Sequence, residues 1–181
     1  MAEASTIYTL GIDLADLDRN LYEQLELRVA RHPSETAVFM LARVLAYCLE
    51  FTAGIEMTPG VSSADLPAIV ARDLTGRITT WIEIGMPDAE RLHRGSRAAD
   101  RVAVYTHRDI RQLLAQLAGK RIHRADAVVI RAFDRAPLED LAGRLERRSS
   151  FGLTVSEGEL LVALGSDTYT IAVTDHQILQ S

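Results

Sequence analysis

The sequence predicts an α/β fold: a mixed sheet flanked by helices, with an antiparallel N-terminal hairpin and a C-terminal β-meander. Three observations carry this. Residues 6–14 and 21–29 alternate apolar and polar side chains with a period of two, the strand signal. Residues 37–49 are apolar around most of a helical circumference, as a buried helix requires. Short apolar runs then alternate with amphipathic stretches up to about residue 148, and turn-separated strands follow. The 181 residues, 48% apolar and 25% charged with a net charge of -5, suit a single domain spanning 1–181.

In the first pair of strands, Tyr8, Leu10, Ile12 and Leu14 share one face, as do Leu21, Leu25, Leu27 and Val29 in the second. Asp16-Leu17-Asp18-Arg19-Asn20 between them is rich in turn formers, so the two form a long hairpin. His32-Pro33-Ser34-Glu35-Thr36 reads as a helix start, with proline in the first turn and Glu35 where the helix dipole favours an anion. The helix runs to about Leu49 and is central. After a loop containing Thr58-Pro59-Gly60-Val61-Ser62-Ser63, the strands Ala68–Arg72 and Ile78–Ile84 are joined by a tight turn, Asp73-Leu74-Thr75-Gly76. A helix from Asp88 to about Asp100, a buried strand Arg101–Thr106, a helix Asp109–Leu117, a strand Ala127–Ile130 and a helix Leu138–Arg148 complete the middle. Glu157-Gly158 and Gly165-Ser166-Asp167 divide the rest into a three-stranded meander.

Cys48 is the only cysteine, so no intrachain disulfide forms and a reducing compartment is expected. No basic leader and no run of about 20 apolar residues is present, which points to a cytoplasmic protein without a membrane partner. Of the 20 basic residues only Lys120 is a lysine. Residues 91–148 hold 14 Lys and Arg against 7 Asp and Glu, a basic segment in an acidic chain that suits an anionic partner such as nucleic acid. His32, His93, His107, His123 and His176 lack zinc-ligand spacing, no Walker A or G-x-G-x-x-G pattern occurs, and neither Ser149-Ser150 nor Cys48 has a histidine setting for covalent catalysis.

The chemistry-bearing candidates gather around the second hairpin. With Asp73 to Gly76 as its turn, Glu83 stands opposite Leu66 and beside Asp65. Two carboxylates on neighbouring strands can share one divalent cation such as Mg²⁺. The order helix, strand, strand ending in an acid, helix, strand is that of the PD-(D/E)XK nucleases, in which a metal held by paired acids activates water. Arg91, Arg94, Arg97 and Arg101 recur every three or four residues, a basic stripe suited to phosphates and equally to a solvated helix face.

The segments Ala15-Asp16-Leu17-Asp18-Arg19-Asn20, Ala30-Arg31-His32-Pro33-Ser34-Glu35-Thr36 and Trp81-Ile82-Glu83-Ile84-Gly85-Met86-Pro87, in this order and spacing, resemble the YaeQ family of bacterial proteins over essentially the whole chain. The resemblance implies a variant restriction-endonuclease-like core, in a family without an established biochemical activity. It places Glu83 at the (D/E)XK acid, with Gly85 where that motif carries lysine. The family's displaced lysine corresponds to Arg94, and a guanidinium clamps phosphate but serves poorly as a general base. Ala68 follows Pro67 where the motif has aspartate, so Asp65 or Asp73 would stand in, with hairpin geometry favouring Asp65.

Two readings follow. In the first, a Mg²⁺-dependent phosphodiester hydrolase acting on nucleic acid uses Asp65 and Glu83 as metal ligands, Arg94 as phosphate clamp with Arg91 and Arg97 beside it, and Glu35 or Asp73 in support. In the second, the fold is kept as a non-catalytic module binding nucleic acid or protein, and Glu83 is a buried acid held by an arginine such as Arg43 or Arg94.

Overall fold

Period-two alternation along the first 31 residues produces a long hairpin of β1 (Thr6–Asp16) and β2 (Leu21–Arg31), paired from Thr6↔Arg31 to Asp16↔Leu21. The turn is built as its composition predicts. The Asp16 carboxylate, almost fully buried, accepts from the Arg19 backbone N–H at 3.1 Å and from Arg19 Nε at 2.7 Å, and Asn20 adopts a left-handed φ of 52°. The structure is a computed structural model describing residues 4–59 and 65–180. The expected loop Thr58–Ser63 therefore lies largely outside the described residues.

The chain divides into two units: residues up to Leu41 with Phe133–Val173, and Ala42–Ala132 with the segment from Thr174 onward. In the first, the strand order is β2, β1, β8 (Arg148–Ser156), β9 (Glu159–Leu164), β10 (Asp167–His176). The last three form the expected antiparallel meander. β1 and β8 pair in parallel, from Thr9↔Arg148 to Asp16↔Val155. Leu10, Ile12, Leu14, Leu153, Val162 and Ile171, from alternate positions of four strands, are buried. The helix of this unit, α4 (Arg135–Arg144), is shorter and earlier than expected because residues from Arg148 are drawn into β8.

α1 (Ala37–Leu49) begins in the first unit and ends in the second. Thr36 rather than Pro33 opens it: Thr36 Oγ1 accepts from the Phe39 N–H at 3.1 Å, an N-cap bond. Glu35 therefore precedes the helix, and its carboxylate accepts from the His32 backbone N–H at 3.0 Å.

In the second unit the order is β7 (Val129–Phe133), β6 (Arg101–Thr106), β5 (Ile78–Ile84), β4 (Ile69–Arg72), β3 (Ile55–Met57). β5, β6 and β7 run parallel, with the crossovers supplied by α2 (Ala89–Ala98) and α3 (Ile110–Leu117). Asp88 and Asp109 cap the two helices, accepting from the Arg91 and Arg111 N–H groups at 2.8 and 2.9 Å. One core is assembled from Trp81, Leu92, Val102, Val104, Leu113, Leu117 and Ile130. β3 was not apparent from sequence, since a three-residue strand has too little alternation to show a period.

The β4–β5 register differs from expectation. Asp73 bonds across to Arg77, its N–H donating to the Arg77 carbonyl at 3.0 Å, and the ladder shifts once more between Ala71 and Arg72. The pairs are therefore Ile69↔Ile82 and Val70↔Trp81, and Glu83 lies one position past the last of them, level with Ala68 instead of Leu66.

Candidate functional site

Trp81 and Glu83 are two residues apart on β5 and so share a face of the strand. The indole Nε1–H donates to Glu83 Oε1 at 2.9 Å. Arg91, one turn into α2, reaches the same oxygen with Nε and Nη2, each at 3.1 Å. Its Nη2 also donates to the Leu66 carbonyl at 3.0 Å, which ties the segment before β4 to the helix. Glu83 is only 5% exposed. Burial pushes its carboxyl above the usual range, Arg91 and then the indole N–H draw it back, and neighbouring Asp88 adds to the rise. Arg91 is the arginine that meets the acid, where Arg43 and Arg94 were the sequence candidates.

The helix above the acid is shaped around the indole. A Cβ placed on Gly95 would stand 2.7 Å from Trp81 Cδ1 and 2.8 Å from Nε1, so glycine in the middle of α2 is a packing requirement. Trp81 is thus both core residue and hydrogen-bond donor.

The other candidates differ in exposure and partners. Asp65 is exposed, immediately before Leu66. Asp73 shapes its own turn: Oδ1 accepts from the Thr75 N–H and hydroxyl, and Oδ2 pairs with Arg77 Nε at 3.4 Å. The Thr75 hydroxyl is the first cause holding its carboxyl below the usual range. Glu35 is buried in the first unit, against the His32 backbone. Arg94 pairs with Glu90 at 3.6 Å, and Arg97 is exposed in the last turn of α2.

Further cationic side chains are brought to α2 in the second unit by a segment that no local sequence pattern connects to it. The His123 N–H donates to His93 Nδ1 at 3.1 Å, the two imidazoles meet edge to face, and Arg124 Nη2 donates to the carbonyls of Ser96 and Ala99 at 3.0 Å each. This docks Lys120–Arg124 beside the helix, bringing exposed Lys120, Arg121 and Arg124 to the element that carries Arg94 and Arg97.

A second polar network lies at the C-terminal end of α1. Glu50 accepts from Tyr105 Oη at 2.7 Å and from Arg101 Nη2 at 2.9 Å on Oε1, and from Arg101 Nε at 3.2 Å on Oε2. Arg131 Nη1 donates to the Tyr105 oxygen at 3.0 Å, and its Nε to Asp175 at 2.9 Å. Burial, then the Glu50 charge, drives the Tyr105 phenol far above its usual range. Arg101 is therefore part of this network. Only the combination of a buried tyrosine and an acid just past a buried helix hints at it in sequence.

As for a metal, Glu83 Oε1 is engaged by two donor groups, and among the described residues no three His, Cys, Asp or Glu side chains are grouped to hold an ion. Among the described residues no helix is long and apolar enough to cross a membrane.

The chain matches the family model described as YaeQ protein over residues 1–173. A curated relative in Escherichia coli (strain K12), "Uncharacterized protein YaeQ", is 37% identical over 107 residues, and the match spans 59% of either chain. Among solved structures, the YaeQ protein from Pseudomonas syringae superimposes with a TM-score of 0.87 at 32% identity, covering 94% of this chain and 95% of that one. The YaeQ protein from Xanthomonas axonopodis pv. citri, at 24% identity, has a TM-score of 0.85 over 96% of this chain and 98% of its own, a likeness of fold.

Proposed function

From a chain that belongs to the YaeQ family, we propose a non-catalytic, restriction-endonuclease-like module that binds nucleic acid through the basic surface of α2 and Lys120–Arg124. The observation that carries this reading is the Glu83–Arg91 pair. An acid in the position of a nuclease metal ligand is instead buried, hydrogen-bonded to Trp81 and neutralised by an arginine. A divalent cation entering at Glu83 would meet the positive guanidinium of Arg91 already seated on the same carboxylate. The order α1, β4, β5, α2, β6 supports the nuclease-like description of the core. Arg94, Arg97, Arg121 and Arg124 supply guanidinium groups, which pair well with phosphate oxygens, and no base readout is required of them.

Fluorescence anisotropy with labelled single- and double-stranded oligonucleotides tests the proposal. Binding should weaken as salt rises, in proportion to the phosphates neutralised, and Arg94→Glu with Arg97→Glu should weaken it at least about tenfold while lowering the salt slope. No binding at low salt, or binding unchanged in the double variant, overturns it. The hydrolase reading, with Asp65 and Glu83 as ligands, Arg94 as clamp and Asp73 or Glu35 in support, would replace it on a different result: calorimetric Mg²⁺ or Mn²⁺ binding abolished by Glu83→Ala, together with metal-dependent cleavage.

A further inference from the structure

Among the described residues β2 is the terminal strand of its sheet, paired on one side only, by β1. At eleven residues it is long for an edge, and such edges recruit further strands unless blocked. Thr9 in β1 donates its N–H to the Arg147 carbonyl on the β8 side, so its even-numbered neighbours bond β2, among them Leu10, which faces Leu27. The backbone groups of Tyr22, Gln24, Glu26 and Arg28 consequently point away from the sheet. All four of these residues are exposed, while on the other face Glu23 is exposed, Leu25 and Leu27 are half-buried and Val29 is buried.

Charge along this edge is self-complementary in one antiparallel register. With Leu27 opposite Leu27 of a second copy, Glu26 faces Arg28 of that copy and Arg28 faces its Glu26. Glu23 faces Arg31, and Leu25 faces Val29, closing an apolar stripe on the buried side. Moving the two-fold axis one residue sets Glu26 against Glu26 in one direction and Arg28 against Arg28 in the other, and like charges directly opposite destabilise a ladder. The outward backbone groups have the phase this register needs, since each Glu26–Arg28 pair exchanges both its N–H···O=C bonds.

We propose that β2 is a homodimerisation edge, joining two copies of this chain through an antiparallel β2–β2 ladder centred on Leu27. The occupant is a second copy because the complementarity is between the strand and itself. The charges that would deter foreign strands select this one alignment.

Light scattering coupled to size exclusion, over a concentration series, tests this. The wild type should approach twice its monomer mass as concentration rises. Glu26→Arg should raise the dimer dissociation constant about tenfold, since it turns two attractive pairs repulsive. The swap Glu26→Arg with Arg28→Glu should restore it, because the opposed charges are only exchanged. Leu27 forms a non-hydrogen-bonded pair with its copy, the closer of the two antiparallel spacings, so Leu27→Cys should give a disulfide-linked dimer on mild oxidation. A wild type that stays monomeric to its solubility limit overturns the proposal, as does a dimer indifferent to Glu26→Arg or a failure of the swap to rescue. If the charge variants do not fold, the Leu27→Cys cross-link decides the outcome: its absence overturns the proposal.

Discussion

Gly95→Ala isolates the packing that holds the acid. The added methyl would lie 2.7 to 2.9 Å from three atoms of the Trp81 indole. Carbon contacts settle at about 3.5–4.0 Å, so a ring that is 2% exposed must retreat by roughly 0.8 Å. That movement pulls Nε1 away from Glu83 Oε1, now 2.9 Å distant. Overpacking of this kind costs about 1–3 kcal/mol, offset by the gain of about 1 kcal/mol from replacing a helical glycine by alanine. With the weakened bond to a charged acceptor included, the expected net loss is about 1–2 kcal/mol. Gly143 in α4 is the internal control, since a Cβ there meets nothing within 4 Å, and Gly143→Ala should stabilise by about 0.5–1 kcal/mol. Urea unfolding read by fluorescence suits the comparison because Trp81 is the only tryptophan and reports from the site itself. A Gly95→Ala variant as stable as wild type, with an unshifted emission spectrum, would refute the reasoning.

Other outcomes can be checked with the same assay. The raised Glu83 carboxyl binds its proton more tightly folded than unfolded, so its contribution to stability should fall as pH rises from about 4.3, the ordinary glutamate value, through the raised value. Glu83→Gln should remove that component, and equal pH slopes in the two proteins over this window would count against the account. Asp73, Asp100 and Asp109 are displaced downward, so their contributions should be lost only as pH falls below about 3.9, in both proteins alike. Tyr105→Phe takes a donor from Glu50 and an acceptor from Arg131 at a fully buried position, and should cost about 1–3 kcal/mol in urea unfolding. A loss under about 0.5 kcal/mol, the scale of an ordinary surface substitution, would show that the network reorganises around the vacancy.

Local pattern was sufficient for the elements whose periodicity is strong. Alternation in β1 and β2, a turn after Asp73, the starts of α2 and α3 near Asp88 and Asp109 and the limits of β5 and β6 follow from side-chain spacing and turn chemistry, which act within a few residues. Such local interactions define a mixed α/β chain with strand-rich ends and Glu83 as an acid at a strand end, and the three motif segments mark the YaeQ family. Long-range packing set the remainder. The parallel pairing of β1 with β8 depends on contacts more than a hundred residues apart, which no local period encodes. The β4–β5 register turned on a turn one residue longer than expected and on one bulge, neither of which changes composition. The fate of Glu83 turned on Arg91, one of four arginines in a stripe that spacing alone cannot tell apart: α2 lies over β5 with Gly95 against Trp81, and that placement turns Arg91 inward to the carboxylate, while Arg94 pairs with Glu90, Arg97 is exposed and Arg101 joins Glu50.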